Sequence, residues 1–203
     1  MFGFKIKCLD GVYGIEEDSL FFSEYLYNLY KNGFRCESSL DLGTGSGILA
    51  LYLSKISKKV FAVDISREAL TIARENARMN GIDNITFRES NLFSSLKGMK
   101  FDLIVFNPPY LPCSPKNKED LCICGGKNLG IISKFLEEVR NHLKRKGFFL
   151  LLLSSLSMPE RFIRKYNLKI LARKKLFFEE LLILTSIQNS QDFTLNLCLP
   201  SLR

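Results

Sequence analysis

The sequence predicts a doubly wound α/β domain built on a seven-stranded, mostly parallel sheet with an antiparallel hairpin at one edge. Three observations carry this. Candidate strands alternate with helical patterns along most of the chain. Several strands, "FDLIVF" and "FFLLLLSS" among them, are apolar throughout, as strands covered on both faces must be. The last two, near 168–178 and 180–188, follow each other with no long helix between them, so they pair as a hairpin.

Each element has its own signal. "EEDSLFFSEYLYNLYKN" (16–32) has apolar residues at helical spacing and acidic residues at its start, where the helix dipole favours them. "SSLDLG" is a short strand, followed by a glycine-rich turn and a helix through "ILALYLSKI". "KVFAVDI" (59–65) is rich in β-formers; Ser66 then caps the helix "REALTIARENARMN", which Gly81 ends. "NITFRES" (84–90) and "FDLIVF" (101–106) are the third and fourth strands. A loop containing glycine and cysteine leads to the helix "IISKFLEEVRNHL" and the strand "FFLLLLSS", and a short helix near 159–166 precedes the hairpin. The 203 residues are read as one domain, with an N-terminal lid and helix segment at 1–35, a core at 36–188 and a tail at 189–203.

Composition narrows the field. With 46% hydrophobic and 25% charged residues the chain is an ordinary globular protein, and no apolar run is long enough to span a membrane. No secretory signal is evident at the start, which points to the cytoplasm. The six cysteines show no paired CxxC spacing, so reduced thiols are expected. Cys113, Cys122 and Cys124 share a loop, but a fourth ligand is lacking and His142 lies in a helical segment; no metal site is expected. The net charge of +8 is concentrated between Arg161 and Lys175, a run read as a solvated basic face.

Ligands of doubly wound sheets lie outside the carboxyl ends of the strands. Strand one ends in "DLGTGSG" (41–47), where Gly43, Thr44, Gly45 and Gly47 form a turn that a ligand can approach closely, ahead of a helix N-terminus. Strand two ends in Asp64, followed by Ile65; a carboxylate there can accept hydrogen bonds from ribose hydroxyls. No GxxxxGK[ST] is present, so a P-loop hydrolase is excluded. Strand four stops abruptly at Asn107-Pro108-Pro109-Tyr110. Either this is a rigid turn and nothing more, or acceptors are needed there, and the Asn107 side-chain oxygen and the Pro108 carbonyl are the two candidates.

"DLGTGSG" with Asp41 at its head resembles the first motif of class I, Rossmann-like S-adenosylmethionine-dependent methyltransferases. "NPPY" resembles the catalytic motif of those that act on glutamine amides or on exocyclic amines of adenine and cytosine. "GVYGIEEDSLFF" (11–22) is similar to the entry segment of the HemK/PrmC glutamine methyltransferases, in their short archaeal and eukaryotic branch. "FAVDISREALTIARENARMNG", "NLF", "GGKNLG" and "KKLFFEELLIL" agree in order, so the resemblance covers roughly residues 11 to 188.

The resemblance implies transfer of a methyl group from S-adenosylmethionine to the GGQ-loop glutamine of a class I translation termination factor. It further implies cofactor contacts from Asp41, Gly43, Gly45 and Asp64, with Asn91 and Leu92 beside the adenine, and a lid made by Tyr13 and Ser19. Asn107 would be catalytic. Some members work with a small zinc-binding activator subunit, which would add a strand beside "NITFRES", and some eukaryotic members are linked to lysine methylation. The chain departs from the pattern at Gly14-Ile15, where Glu-Pro is usual, and at Asn91, where Asp is common. The competing readings are a nucleic-acid adenine methyltransferase, against which no RNA-binding module is present, and a catalytically silent partner.

Overall fold

The computed structural model describes residues 1–8, 16–113, 124–126 and 129–186. Seven strands form one sheet: β1 (Cys36–Leu42), β2 (Ser57–Asp64), β3 (Ile85–Glu89), β4 (Phe101–Phe106), β5 (Leu143–Ser154), β6 (Leu168–Lys175) and β7 (Glu180–Ser186). Their order is β3-β2-β1-β4-β5-β7-β6. The first five run parallel, and β7 is antiparallel to both β5 and β6, as the missing crossover helix required. The strand order reverses between β1 and β4, and this places the switch point beside the ends of the "DLGTGSG" and "FDLIVF" strands.

Among the described residues five α-helices cover the sheet: α1 (Glu17–Lys31), α2 (Ile48–Ile56), α3 (Arg67–Met79), α4 (Gly130–Glu138) and α5 (Glu160–Tyr166). Alternate residues of each strand feed opposite faces, because successive side chains of a strand point to opposite sides. Leu103, Val105, Leu150 and Leu152 join the core under α1 and α2, whereas Ile104, Phe106, Leu151 and Leu153 join the core under α4 and α5. Both faces are therefore buried, and β4 and β5 have no room for polar side chains near the middle. That is why they read as unbroken apolar runs.

The expected caps are present. The Ser66 hydroxyl accepts from the Ala69 N–H at 3.1 Å, and Gly81 adopts φ +62° just beyond α3. The helix expected over 131–143 is shorter: α4 stops at Glu138, a 3-10 turn runs from Val139 to His142, and β5 already begins at Leu143. His142 is held there by stacking on Phe93 and by contact of Nδ1 with the Met99 carbonyl at 3.0 Å. β6 also ends earlier than expected, at Lys175, because Leu176 and Glu179 close a turn that leaves Phe177 and Phe178 outside the sheet.

The expectation of reduced cysteines is corrected at one place: Cys113 and Cys124 form a disulfide. Their backbones meet in a parallel bridge between Leu111 and Cys124, with Gly125 N–H bonding to the Leu111 carbonyl at 2.9 Å, and this brings the two thiols together. Cys122 lies outside the described residues, as do Tyr13, Gly14-Ile15 and the 189–203 tail.

One tertiary feature was not visible in the sequence. The N-terminal residues run along α3, held by Asn76 and Asn80. Asn76, fully buried, accepts from Lys7 N–H at 2.8 Å and donates to the Lys7 carbonyl at 3.0 Å and the Ser46 carbonyl at 2.8 Å. It thereby ties the N-terminal segment to the glycine turn. Replacing Asn76 by Ala orphans these groups and is expected to lower unfolding free energy by about 1–3 kcal/mol in urea titration.

Candidate active site

The carboxyl ends of β1, β2 and β4 open into a cavity of about 930 Å³, within the range of small-molecule sites. Its floor is the glycine turn. Gly43 and Gly45 take φ of +68° and +53°, in the left-handed region that other residues rarely adopt, and Thr44 N–H bonds to the Val63 carbonyl at 2.9 Å. A Cβ on Gly43 would lie 3.4 Å from the Phe106 ring. Gly47 has a different task. It does not line the cavity; a Cβ there would lie 2.9 Å from Ala73 Cβ, so its missing side chain lets α3 pack against the turn.

Asp41 likewise lies behind the turn rather than on the cavity wall. It is fully buried and accepts from the Thr44 hydroxyl at 2.6 Å. Burial pushes its pKa up to about 7, against the opposing pull of the Thr44 hydrogen bond. Asp64 does face the cavity. Its two carboxylate oxygens accept from Gly45 N–H and Ser66 N–H, both at 2.9 Å, and this locks its orientation; lone pairs remain on both oxygens. Burial raises its pKa, while these backbone N–H groups lower it.

The far wall is apolar. Ile65 lines the cavity with 66% of its surface exposed, and Leu92 lies opposite with φ of +49°. A branched residue in the left-handed region is strained, and such strain collects at functional sites. The Ser90 hydroxyl holds it by donating to the Leu92 carbonyl at 2.7 Å. Asn91 and Ser19 also line the cavity.

Asn107, Pro108, Pro109 and Tyr110 form the wall that continues β4. Gly125 abuts this turn: a Cβ there would lie 2.2 Å from the Pro109 carbonyl oxygen. The sequence pattern gives Asp18 only a helix-dipole role at the start of α1, and its place in the site was missed. Asp18 is buried in the first turn of α1, and one of its oxygens accepts from Asn107 Nδ2 and from the Tyr110 hydroxyl, each at 3.2 Å. The signal available was a carboxylate on the apolar side of an amphipathic helix, a place where an acid needs a partner.

The charge of the cavity contrasts with that of the chain. Glu16, Glu17, Asp18, Asp64, Glu68 and Glu179 line it, and among the described residues no Lys or Arg does.

Comparison with known proteins places this geometry. A family model for the methyltransferase small domain matches residues 5–177. The chain is 37% identical over 195 residues to a Methanocaldococcus jannaschii protein assigned by inference as a protein N5-glutamine methyltransferase, covering 91% of this chain and 95% of that one. A release factor glutamine methyltransferase of Koribacter versatilis is 43% identical over 126 residues, which cover 55% of this chain and 44% of its own length. Two solved structures share the fold. A 16S rRNA methyltransferase of T. thermophilus in complex with AdoMet and guanosine matches with a TM-score of 0.69 at 21% identity, over 91% of this chain and 47% of that chain. A methyltransferase from Pyrococcus furiosus matches with a TM-score of 0.67 at 21% identity, over 92% and 91%.

Fold and site thus define a class I methyltransferase. The chain belongs to the methyltransferase small domain family.

Asp41 gives a pH test. A carboxyl whose folded pKa is raised from 3.8 to about 7 contributes stability that is present below its unfolded pKa and is lost as pH rises through the folded one. Asp41→Asn keeps an acceptor for Thr44 but cannot ionise. Between about pH 5 and pH 8, the thermal midpoint of the native chain is expected to fall more than that of the variant.

Proposed function

We propose that this chain transfers a methyl group from S-adenosylmethionine to the side-chain amide nitrogen of a protein glutamine, that of the GGQ loop of a class I translation termination factor. The observation that carries the reading is the Asn107–Tyr110 turn, set at the end of β4 on a cavity free of Lys and Arg among the described residues. The two relatives' names support glutamine as the acceptor.

The cavity suits the cofactor. Asp64 retains lone pairs for ribose hydroxyls, and Ile65 and Leu92 offer apolar surface for an adenine. The surrounding carboxylates suit a cation such as a sulfonium. S-adenosylmethionine, when bound, would supply the electrophilic methyl and leave as a thioether, and the methylated nitrogen would lose one proton to solvent. The protein's task is to make an amide nitrogen reactive. Asn107 Oδ1 and the Pro108 carbonyl accept the two N–H bonds, hold the nitrogen in place and favour a pyramidal geometry. Pro109 has no N–H to compete for the Pro108 carbonyl and fixes the turn. Positioning supplies most of the remaining acceleration.

Among the described residues a phosphate backbone would meet six carboxylates and no Lys or Arg at this cavity, which weighs against a nucleic-acid substrate. The basic 161–175 run does not change this, since several of its members are already engaged: Lys165 pairs with Glu137, Arg173 with Glu180 and Lys174 with Glu17. A protein lysine is the second acceptor that a carboxylate-lined site suits. The activator subunit of the resemblance belongs to the same proposal. β3 is the sheet edge next to β2, and an edge strand can take an added strand from a partner.

Labelled methyl transfer by the chain, alone and with such a subunit, to a purified termination factor, to its GGQ-glutamine variant and to total RNA tests these points together. Label on the factor and none on its variant is expected; label on RNA alone sinks the glutamine reading, and full activity of the chain alone removes the subunit. Asn107→Ala is expected to abolish transfer while cofactor affinity stays within about tenfold, ~1.4 kcal/mol.

The rim gives a further check. Phe177 and Phe178 are 92% and 86% exposed, flanked in sequence by the cavity-lining Leu176 and Glu179. Their exposed rings offer apolar surface to a protein that presents a side chain to the cavity. Exchanging both for Ser is expected to raise KM for the termination factor about tenfold, with KM for the cofactor unchanged.

A further inference from the structure

Asn107 can present either its oxygen or its NH2 group to a substrate, because the two ends of the amide have nearly the same shape. Only the oxygen accepts a hydrogen bond from an amide N–H. Something must select that end, and no feature of the Asn107–Tyr110 turn itself does so.

We infer that Asp18 is the positioning residue that makes this selection, a role that rests on the proposed acceptor chemistry of Asn107. Asp18 Oδ2 lies 3.2 Å from Asn107 Nδ2 and accepts from it, so the carboxyl group faces the Nδ2 end of Asn107. Oδ1 is then the unspent end. Among the described residues it accepts from no group and is shielded from water, an unfavourable state unless a partner arrives. A buried acceptor left open beside a cavity is an acceptor reserved for a ligand.

The same carboxylate oxygen takes the Tyr110 hydroxyl at 3.2 Å. One atom therefore orients both polar side chains of the turn. The other oxygen, Oδ1, is used by the N–H and hydroxyl of the neighbouring Ser19, so the carboxylate cannot rotate without losing contacts at both ends. Its own placement is rigid. α1 carries Asp18 on the side that buries Phe21, Phe22, Tyr25, Leu26 and Leu29, and these anchor the helix on the core. A residue 89 positions before Asn107 in sequence thus sets the direction in which Asn107 acts.

The substitution Asp18→Asn tests this with little change of volume. An asparagine at 18 can meet either end of the Asn107 amide, so selection is lost while packing is kept. Three readouts are taken on the full chain: turnover with a glutamine substrate, KM for S-adenosylmethionine, and the side-chain amide NMR signals of Asn107 in the free protein. The expected result is a fall in kcat of about thirtyfold or more that exceeds any rise in KM for the cofactor, together with a shift of the Asn107 signals. Asp18→Glu, which retains the acceptor, is expected to keep more turnover than Asp18→Asn. A kcat for Asp18→Asn within about threefold of the native value overturns the inference, as does an unmoved Asn107 signal or the reverse order of the two variants. Failure of the native chain to methylate any glutamine overturns the acceptor reading instead, and the NMR signals then decide the role of Asp18 alone.

Discussion

Burial of β4 between β1 and β5 is the constraint on which the rest depends. Both its faces are covered, and Leu103, Ile104 and Val105 have no exposed surface at all. Such a strand cannot slip in register without moving an apolar side chain into a helix layer or leaving a void. Its last residue is fixed as firmly as its middle, so the polar turn that follows starts from a defined point. The same holds for β1, whose end launches the glycine turn, and the reversal of strand order between the two opens the crevice they share. The position of the site is in this sense a consequence of core packing. The chemistry is then added by the few residues just past the strand ends.

These added residues hold one another. Thr44 ties the turn after β1 to β2 and to Asp41; Asp64 at the end of β2 accepts from Gly45; Ser66 next to it caps α3; and Asn76 of α3 returns to Ser46 of the turn. The ring of contacts explains why the turn can contain several glycines and still be rigid: glycine supplies the conformations, and side chains on neighbouring elements remove the freedom.

Fold and site were unequally legible in the sequence. The helix of "ILALYLSKI" and the strand of "FDLIVF" were readable to the residue, since period and composition are local properties. The end of α4 was not, because "VRNHL" continues a helical pattern and only the Phe93–His142 stack and the start of β5 decide otherwise. Strand-end placement singled out Asn107 and Asp64, and both line the cavity. Gly47 was assigned with its neighbours to the cofactor, and its packing against Ala73 depends on a helix crossing that no local pattern records. The Cys113–Cys124 pair was missed because composition speaks to compartment and not to which thiols a loop brings together.

Charge shows the same division between total and place. A chain of net +8 lines its cavity with carboxylates, and the two facts do not conflict. Coulomb forces weaken quickly through water and salt, over about 8 Å at physiological ionic strength, so the exposed cations of α5 and β6 act mainly on their immediate neighbours. Inside the cavity the local dielectric is lower and nearby carboxylates dominate. The net charge taken alone favours an acidic partner such as RNA, whereas the lining favours a neutral or cationic group. The lining is what a ligand meets at contact distance, and it is therefore the better guide to what this methyltransferase accepts.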